Sequence, residues 1–313
     1  MKNFFNNQSQ ETIDDKQIQA SRVNTMISDQ YEIYHVKDDV NQTQTLYHYH
    51  DCYEIHATLE GEAVFYIDGE QFDINAGTIL LIPANKMHRI MKQSSEYFER
   101  VYIFMTPVFL KRYSTRKTNL EACFGNYGLG EAKILKSNPD ELRQQLDFIT
   151  FDTAKDEFGV DVTFEQALVR YIIFLNRLVL SNNSELHPKS NEINERIDEM
   201  IKYISEHLGD DLTLEEMESH FYVSKYYITR EFKKHTGYTF HQFVLKKRLL
   251  YSKYLLRERK NASQIFSDCG FISYPHFLKA FKKEFKMTPK EFLNLLQDNE
   301  KIHLEHFETK HYR

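Results

Sequence analysis

The sequence carries none of the marks of an exported or membrane-spanning chain. Its 313 residues contain no run of about 18 apolar residues, the length a spanning helix needs. The first stretch, MKNFFNNQSQETIDDKQ, is polar and amide-rich and has no apolar signal core. Cysteine is scarce: Cys52, Cys123 and Cys269 lie far apart and form no C-x-x-C pair. A disulfide framework and a zinc-finger pattern are thereby excluded. These absences predict a cytoplasmic chain without a membrane partner. What is present is 41% hydrophobic and 14% aromatic, ample for packed cores. The length suits two domains at roughly 100–200 residues each.

The net charge of −6 says nothing about partners, but its distribution does. Residues 219–290 hold 16 Lys and Arg against 4 Asp and Glu, a local excess of +12. Residues 291–313 carry −2, which leaves −16 on residues 1–218. A basic block on an acidic chain is the footprint of a segment that meets polyphosphate. The competing reading is a solvated charged surface.

Residues 31–106 read as strands. AVFYIDGEQFDI is two β-rich runs around Asp68-Gly69, a hairpin signal. AGTILLIP and FERVYIFM are two further strands, and the spacing suggests a small barrel or sandwich. After about residue 138 the pattern turns helical. Pro139 suits a first helical turn, with Leu142, Leu146 and Ile149 on one face. FEQALVRYIIFLNRLVL places Leu168, Ile172, Leu175 and Val179 on another. These helices are more apolar than one face against a small barrel requires. A dimer contact and intrachain packing are both open readings. The expected organisation is a flexible segment 1–30, a barrel 31–138, a helical dimerisation segment 139–181, a polar linker 182–191, an all-α domain 192–296 and a tail 297–313.

The all-α region contains a repeat. SKYYITREFKKHTGYTFHQF (224–243) aligns with SYPHFLKAFKKEFKMTPKEF (273–292) at an offset of 49. In each copy a helix is followed by a short break, then by Ser224 or Ser273 as N-cap of a second helix. That is helix-turn-helix spacing. Ile228 and Phe232, like Phe277 and Phe281, face a core. Tyr226, Thr229, Arg230 and Lys233 fall on the far side, matched by Pro275, Leu278, Lys279 and Lys282. Two such units can address two successive major-groove faces of one duplex, about 34 Å apart.

With SKYYITREFKKHTG, KKRLLYSKYLL and CGFISYPHFLKAFKKEFKMTP in view, residues 192–296 resemble the DNA-binding domain of the AraC/XylS family of bacterial transcription regulators. Departures are modest. Glu218 and Phe266 stand where a small residue is usual, Lys286 where glycine is common, and Phe240 where proline often follows. The resemblance implies that Ser224, Tyr226, Thr229, Arg230 and Lys233 serve one groove, and Ser273, Tyr274, His276, Lys279 and Lys282 the next. Arg230 is the candidate for a bidentate guanine contact. Lys233, Lys234, Lys282 and Lys283 suit phosphates or solvent rather than bases.

The stretch TLYHYHDCYEIHATLEGE (45–62) holds the pattern H-x-H-x3-E-x6-G in His48, His50, Glu54 and Gly61, and His88 follows in IPANKMHRI. This resembles the first motif of a cupin barrel. The second is partial: Gly77, Pro83 and His88 keep their spacing, while Asn85 replaces a usual glycine and Lys92 a usual asparagine. Strand alternation puts His48 and His50 on one face of a strand, and Glu54, His56 and Thr58 on one face of the next, the face that would be the barrel interior. Cupin enzymes hold a divalent metal with three histidines and a glutamate. Catalysis at such a metal, a metal used for sensing, and a hydrogen-bonding pocket that needs no metal are the three readings, and the last is preferred. No cofactor is expected; a divalent metal at His48, His50, Glu54 and His88 is the open alternative.

The expected fold is α+β: a cupin-like β-barrel, a helical dimerisation segment and an all-α domain with two helix-turn-helix units. The expected function is a dimeric, DNA-binding transcription regulator, an activator by family habit, that is not an enzyme. Its small polar effector would bind through His48, His50, Glu54, His56, Tyr66 and His88. The resemblance implies sugars as the commonest effector class, and RNA polymerase as a further partner. The alternatives are a metal-dependent cupin sensor or enzyme fused to a DNA-binding domain, and an architectural DNA-binding protein without effector.

Overall fold

The computed structural model describes residues 30–38, 46–92, 97–125, 130–147, 158–181, 195–258 and 261–295. The linker expected at 182–191, the tail at 297–313, Ile149 and all but Gln30 of segment 1–30 lie outside the described residues.

The β-rich half is two facing antiparallel sheets. One has the order β1(Tyr31–Asp38), β7(Phe98–Met105), β2(Tyr53–Glu60), β5(Thr78–Ile82), β8(Lys133–Lys136). The other has the order β4(Glu70–Asn75), β3(Glu62–Ile67), β6(His88–Lys92). The β3–β4 hairpin turns at Asp68 (φ 50°) and Gly69 (φ 91°), both left-handed as a two-residue type I′ turn requires.

Alternation along each strand sorts side chains into layers. Ile55, Ala57 and Leu59 of β2 point away from the second sheet. They pack with Leu110 of α1(Pro107–Tyr113), Leu142 of α2(Pro139–Leu146), and Leu168, Ile172 and Leu175 of α3(Val160–Leu180). Asn138 caps α2 and Pro139 opens it, as its sequence predicts. The apolar face of α3 is therefore engaged within the chain, while Val162 and Leu180 on its outer side stay exposed. Between the sheets lies a second cluster that includes Phe65, Phe72, Leu80, Ile82, Ile90 and Phe98.

The all-α half starts at α4(Glu195–Glu206). The first helix-turn-helix unit is α5(Leu214–Phe221) and α6(Lys225–Thr236). After the long α7(Phe240–Arg257), the second is α8(Ala262–Asp268) and α9(Tyr274–Phe285). Its own core gathers Leu255, Leu256, Ile265, Phe277 and Phe281. The first unit, with α4 and the start of α7, shares its core with the barrel: Tyr47, Tyr49, Val64, Tyr66 and Met87 pack with Ile197, Ile201 and Ile204 of α4, Phe232 of α6 and Phe243 of α7. The β3–β4 turn abuts α4 so closely that a Cβ on Gly69 would lie 2.4 Å from the Asp198 carbonyl. The order of layers is helices, five-stranded sheet, three-stranded sheet, helices. Among the described residues no helix is long and apolar enough to cross a membrane.

Candidate functional site

The segment 46–50 runs beside β6, joined by paired backbone hydrogen bonds of 2.9 Å between His48 and His88. Alternation then aims His48, His50 and His88 between the sheets. Each offers a nitrogen within 4.8 Å of the others. Glu54, on β2, meets the cluster from the opposite sheet. Its Oε2 lies 2.9 Å from His88 Nε2 and 3.5 Å from His50 Nε2. His48, His50, Glu54 and His88 are at most 7% exposed.

The backbone fixes two of the imidazole tautomers. His48 Nδ1 lies 2.9 Å from the Leu46 carbonyl, and His88 Nδ1 lies 2.9 Å from that of Lys86. A carbonyl only accepts, so both Nδ1 atoms carry the proton and both Nε2 atoms turn inward. At His88 that Nε2 meets a carboxylate oxygen without hydrogen-bond geometry. Such a contact needs a proton between the two atoms or a metal ion beside both. Burial lowers the His88 pKa, but Glu54 more than offsets it and holds the imidazole above its ordinary value. Burial raises the Glu54 carboxyl, and His88, His48 and His56 together bring it below its ordinary value. His48 is held well below its own by burial, then by His88 and His50, and is neutral.

Deeper between the sheets, His56 is fully buried among Phe65, Phe98 and Tyr102. Burial, then the Arg100 charge, hold it down to about 3, so it is neutral. Both its ring nitrogens and Thr58 Oγ1 lack a hydrogen-bond partner among the described residues. Arg100 and Tyr102, opposite Thr58 and His56 on β7, share this interior, where Arg100 Nε donates to Tyr102 Oη at 2.9 Å. Sequence reasoning missed both, although alternation along FERVYIFM was the signal. Asn85, also buried with an unpartnered amide, has φ 67°. That left-handed backbone explains why glycine is usual there and why asparagine serves.

Tyr66 is a correction. It belongs to β3, where Phe65 points into the barrel, so Tyr66 points out. The Arg89 guanidinium lies 4.4 Å over its ring, and the His235 ring of α6 meets it edge-on at 6.0 Å.

In the helical half the two units keep their expected grammar. Ser224 Oγ accepts from the Tyr227 amide and Ser273 Oγ from that of His276, so both hydroxyls are N-caps. Tyr226, Thr229, Arg230 and Lys233 are exposed on one side of α6. Arg230 lies over the Tyr226 ring at 5.5 Å and donates from Nε to Glu231 at 2.7 Å. Thr229 Oγ1 donates to the Lys225 carbonyl. On α9, His276, Lys279 and Lys282 are exposed. Tyr274 is half-buried against Phe266 and Phe277, unlike its neighbours on that face. Ile272, just before Ser273, is 96% exposed and was not singled out by sequence.

The basic block divides. Lys247 pairs with Asp68 at 2.6 Å and Lys253 with Asp51 at 2.5 Å, both lysines buried. Lys246 pairs with Glu284. Those lysines are held by carboxylates, two of them on the barrel, and do not face a duplex. Charge counted along the sequence could not reveal this.

Two families of domain match this chain. A helix-turn-helix domain matches residues 218–294, and an AraC-like ligand binding domain matches residues 31–147. The chain belongs to the AraC family of transcription regulators. The AraC-type ligand-binding match contains every pocket residue described above, and the other contains both recognition helices. The transcriptional activator RhaS of Escherichia fergusonii is 22% identical over 245 residues, 78% of this chain and 86% of that one. RhaS of Enterobacter sp. strain 638 is 23% identical over 246 residues, with the same shares covered. The crystal structure of ToxT from Vibrio cholerae with a bound unsaturated fatty acid is 15% identical. It covers 85% of this chain and 95% of that one, with a TM-score of 0.38. This AraC-family chain is accordingly a DNA-binding transcription regulator with an N-terminal ligand-binding domain.

Proposed function

We propose that this AraC-family regulator activates transcription when a small polar effector occupies the space between its two sheets. The carrying observation is the set of buried polar groups without partners among the described residues: both His56 nitrogens, Thr58 Oγ1 and the Asn85 amide. Leaving such groups unsatisfied costs about 1–3 kcal/mol each, and a hydroxyl-rich ligand such as a sugar relieves that cost. His48, His50, Glu54 and His88 hold one side of the ligand. Tyr226, Thr229, Arg230 and Lys233 enter one major groove, and His276, Lys279 and Lys282 the next. The protein works in the cytoplasm as a homodimer, with the exposed side of α3 in the dimer contact, recruits RNA polymerase, and performs no catalysis.

A second reading has its own observation. The convergent Nε2 atoms of His48 and His88, His50, and Glu54 Oε2 form an N/O donor set that fits a divalent ion such as Zn, Mn, Fe or Ni. The Leu46 and Lys86 carbonyls orient two of these ligands, as outer-shell partners do at metal sites. A bound ion would supply a positive centre for a ligand hydroxyl or carboxylate.

The test is metal content of protein purified without an affinity tag, together with calorimetric screening of sugars and small acids. The effector reading expects one compound to bind the parent with micromolar or better affinity, and not His56→Phe. The metal reading expects about one equivalent of ion, lost from His50→Gln. If no sugar or acid binds, with or without ion, the effector reading fails.

A further inference from the structure

The strands that carry the pocket also carry the contact with the first helix-turn-helix unit, on their opposite face. His48 and His50 turn inward while Tyr47 and Tyr49 turn toward the helices. On β6, His88 turns inward while Arg89 turns outward. Arg89 is 1% exposed. Its Nη1 donates to the His235 carbonyl at 2.7 Å, and its Nη2 lies 3.0–3.1 Å from the His235 ring nitrogens. His235 in turn meets Asp198 of α4 at 2.8 Å. The His235 carbonyl belongs to the last turn of α6, where helix carbonyls lack intrahelical partners. The barrel thus places a cation on the negative end of the recognition helix, held between the rings of Tyr47 and Tyr66. The neighbouring side chain on β6 is the pocket imidazole that meets Glu54. Two backbone hydrogen bonds lock His88 to His48, so movement of the pocket histidines displaces Arg89 and Tyr47 together.

We propose that Arg89 is the positioning residue through which the content of the barrel sets the end of recognition helix α6. The proposal rests on the barrel interior being the effector pocket, but its test needs no effector. Tyr49 extends the same logic to the second unit: its hydroxyl donates to Glu284 of α9 at 2.6 Å.

The experiment is a double-substitution cycle in the full chain, read by hydrogen exchange at the amides of residues 231–236. Glu54→Gln perturbs the pocket without changing its size, and Arg89→Met removes the outward cation while keeping bulk. Glu54→Gln should change exchange in the parent by about 10-fold, within the 5- to 150-fold range of coupled sites. In the Arg89→Met background the same substitution should change it by less than about twofold, and Arg89→Lys should restore the response in part. A merely structural Arg89 would give additive effects. Additivity, or no change at α6 from Glu54→Gln in the parent, overturns the proposal. If Glu54→Gln does not fold, His50→Gln serves the same comparison. A pocket that binds neither effector nor ion would sink the functional reading and leave the cycle interpretable. An additive cycle beside intact ligand binding would sink the coupling alone.

Discussion

Asp68→Asn is the sharpest probe of how barrel and helices are held together. Asp68 occupies the first left-handed position of the β3–β4 turn, which asparagine tolerates, so the turn itself should survive. Its carboxylate pairs with Lys247 at 2.6 Å and with Lys86 at 3.1 Å. Burial raises this carboxyl, yet Lys247 and then Lys86 more than offset that and hold it down to about 2, from 3.8. Lowering by that amount corresponds to about 2 kcal/mol of stability. Removing the charge also leaves Lys247, whose side chain is 8% exposed, facing a neutral amide. The expected loss at pH 7 is therefore about 2–3 kcal/mol, at or below the roughly 3–5 kcal/mol of breaking a fully buried pair, because the Asp68 side chain keeps 17% of its exposure. The sign with pH follows from the depressed pKa. The contribution is present above the unfolded value near 4 and is lost as pH falls through about 2. Urea unfolding followed by circular dichroism, at pH 7 and in steps down to pH 2, should show parent and variant converge at the acid end. Adding Lys247→Met to the variant should recover part of the loss, because an apolar chain in that site has no charge to bury. A variant within about 0.5 kcal/mol of the parent at pH 7, or a gap unchanged down to pH 2, would refute this reasoning.

Other expectations are as direct. Arg230→Ala should cost about 1–3 kcal/mol on the cognate operator and relax base preference there, whereas Lys233→Ala should weaken all duplexes alike and reduce the salt slope by about 1. Equal losses on cognate and random DNA, measured by fluorescence anisotropy, would show that the faces are misassigned. Lys286→Gly should stabilise the second unit by about 1 kcal/mol, because Lys286 caps α9 at φ 58° where glycine escapes the left-handed penalty. Gly237→Ala, at the matching cap of α6, should destabilise by more than that, since φ is 82° and its Cβ would also press Leu46 at 3.0 Å. A lower melting temperature for Lys286→Gly would contradict the first, and an unchanged or higher one for Gly237→Ala the second.

Much of the fold was legible because it is local. The Asp68-Gly69 hairpin, the Pro139 helix start and both serine N-caps each follow from a few adjacent residues. Strand alternation grouped His48 with His50 and Glu54 with His56; that these faces and His88 point inward came from the resemblance of the H-x-H-x3-E pattern to a barrel motif, and the five side chains are buried there. Tyr66 shows the limit. Period-two alternation says which residues share a face, not which face is inside, and both faces of β3 are apolar and buried. The packing of barrel on helices was illegible for another reason. Lys247 and Asp68 are 179 positions apart, and nothing near either marks it as half of a pair. Read along the chain, Lys246, Lys247 and Lys253 look like phosphate contacts.

The burial of the pocket bears on time. The side chains around it are shut between two sheets, and each outer face of that pair is in turn covered by helices. On the proposed reading, an effector that contacts His56, which is fully buried, enters only when the sheets or their covering helices part. Association is then limited by the frequency of that opening rather than by diffusion. Escape is slowed by the same barrier. A pocket enclosed in this way responds to a sustained supply of its ligand and filters out brief pulses.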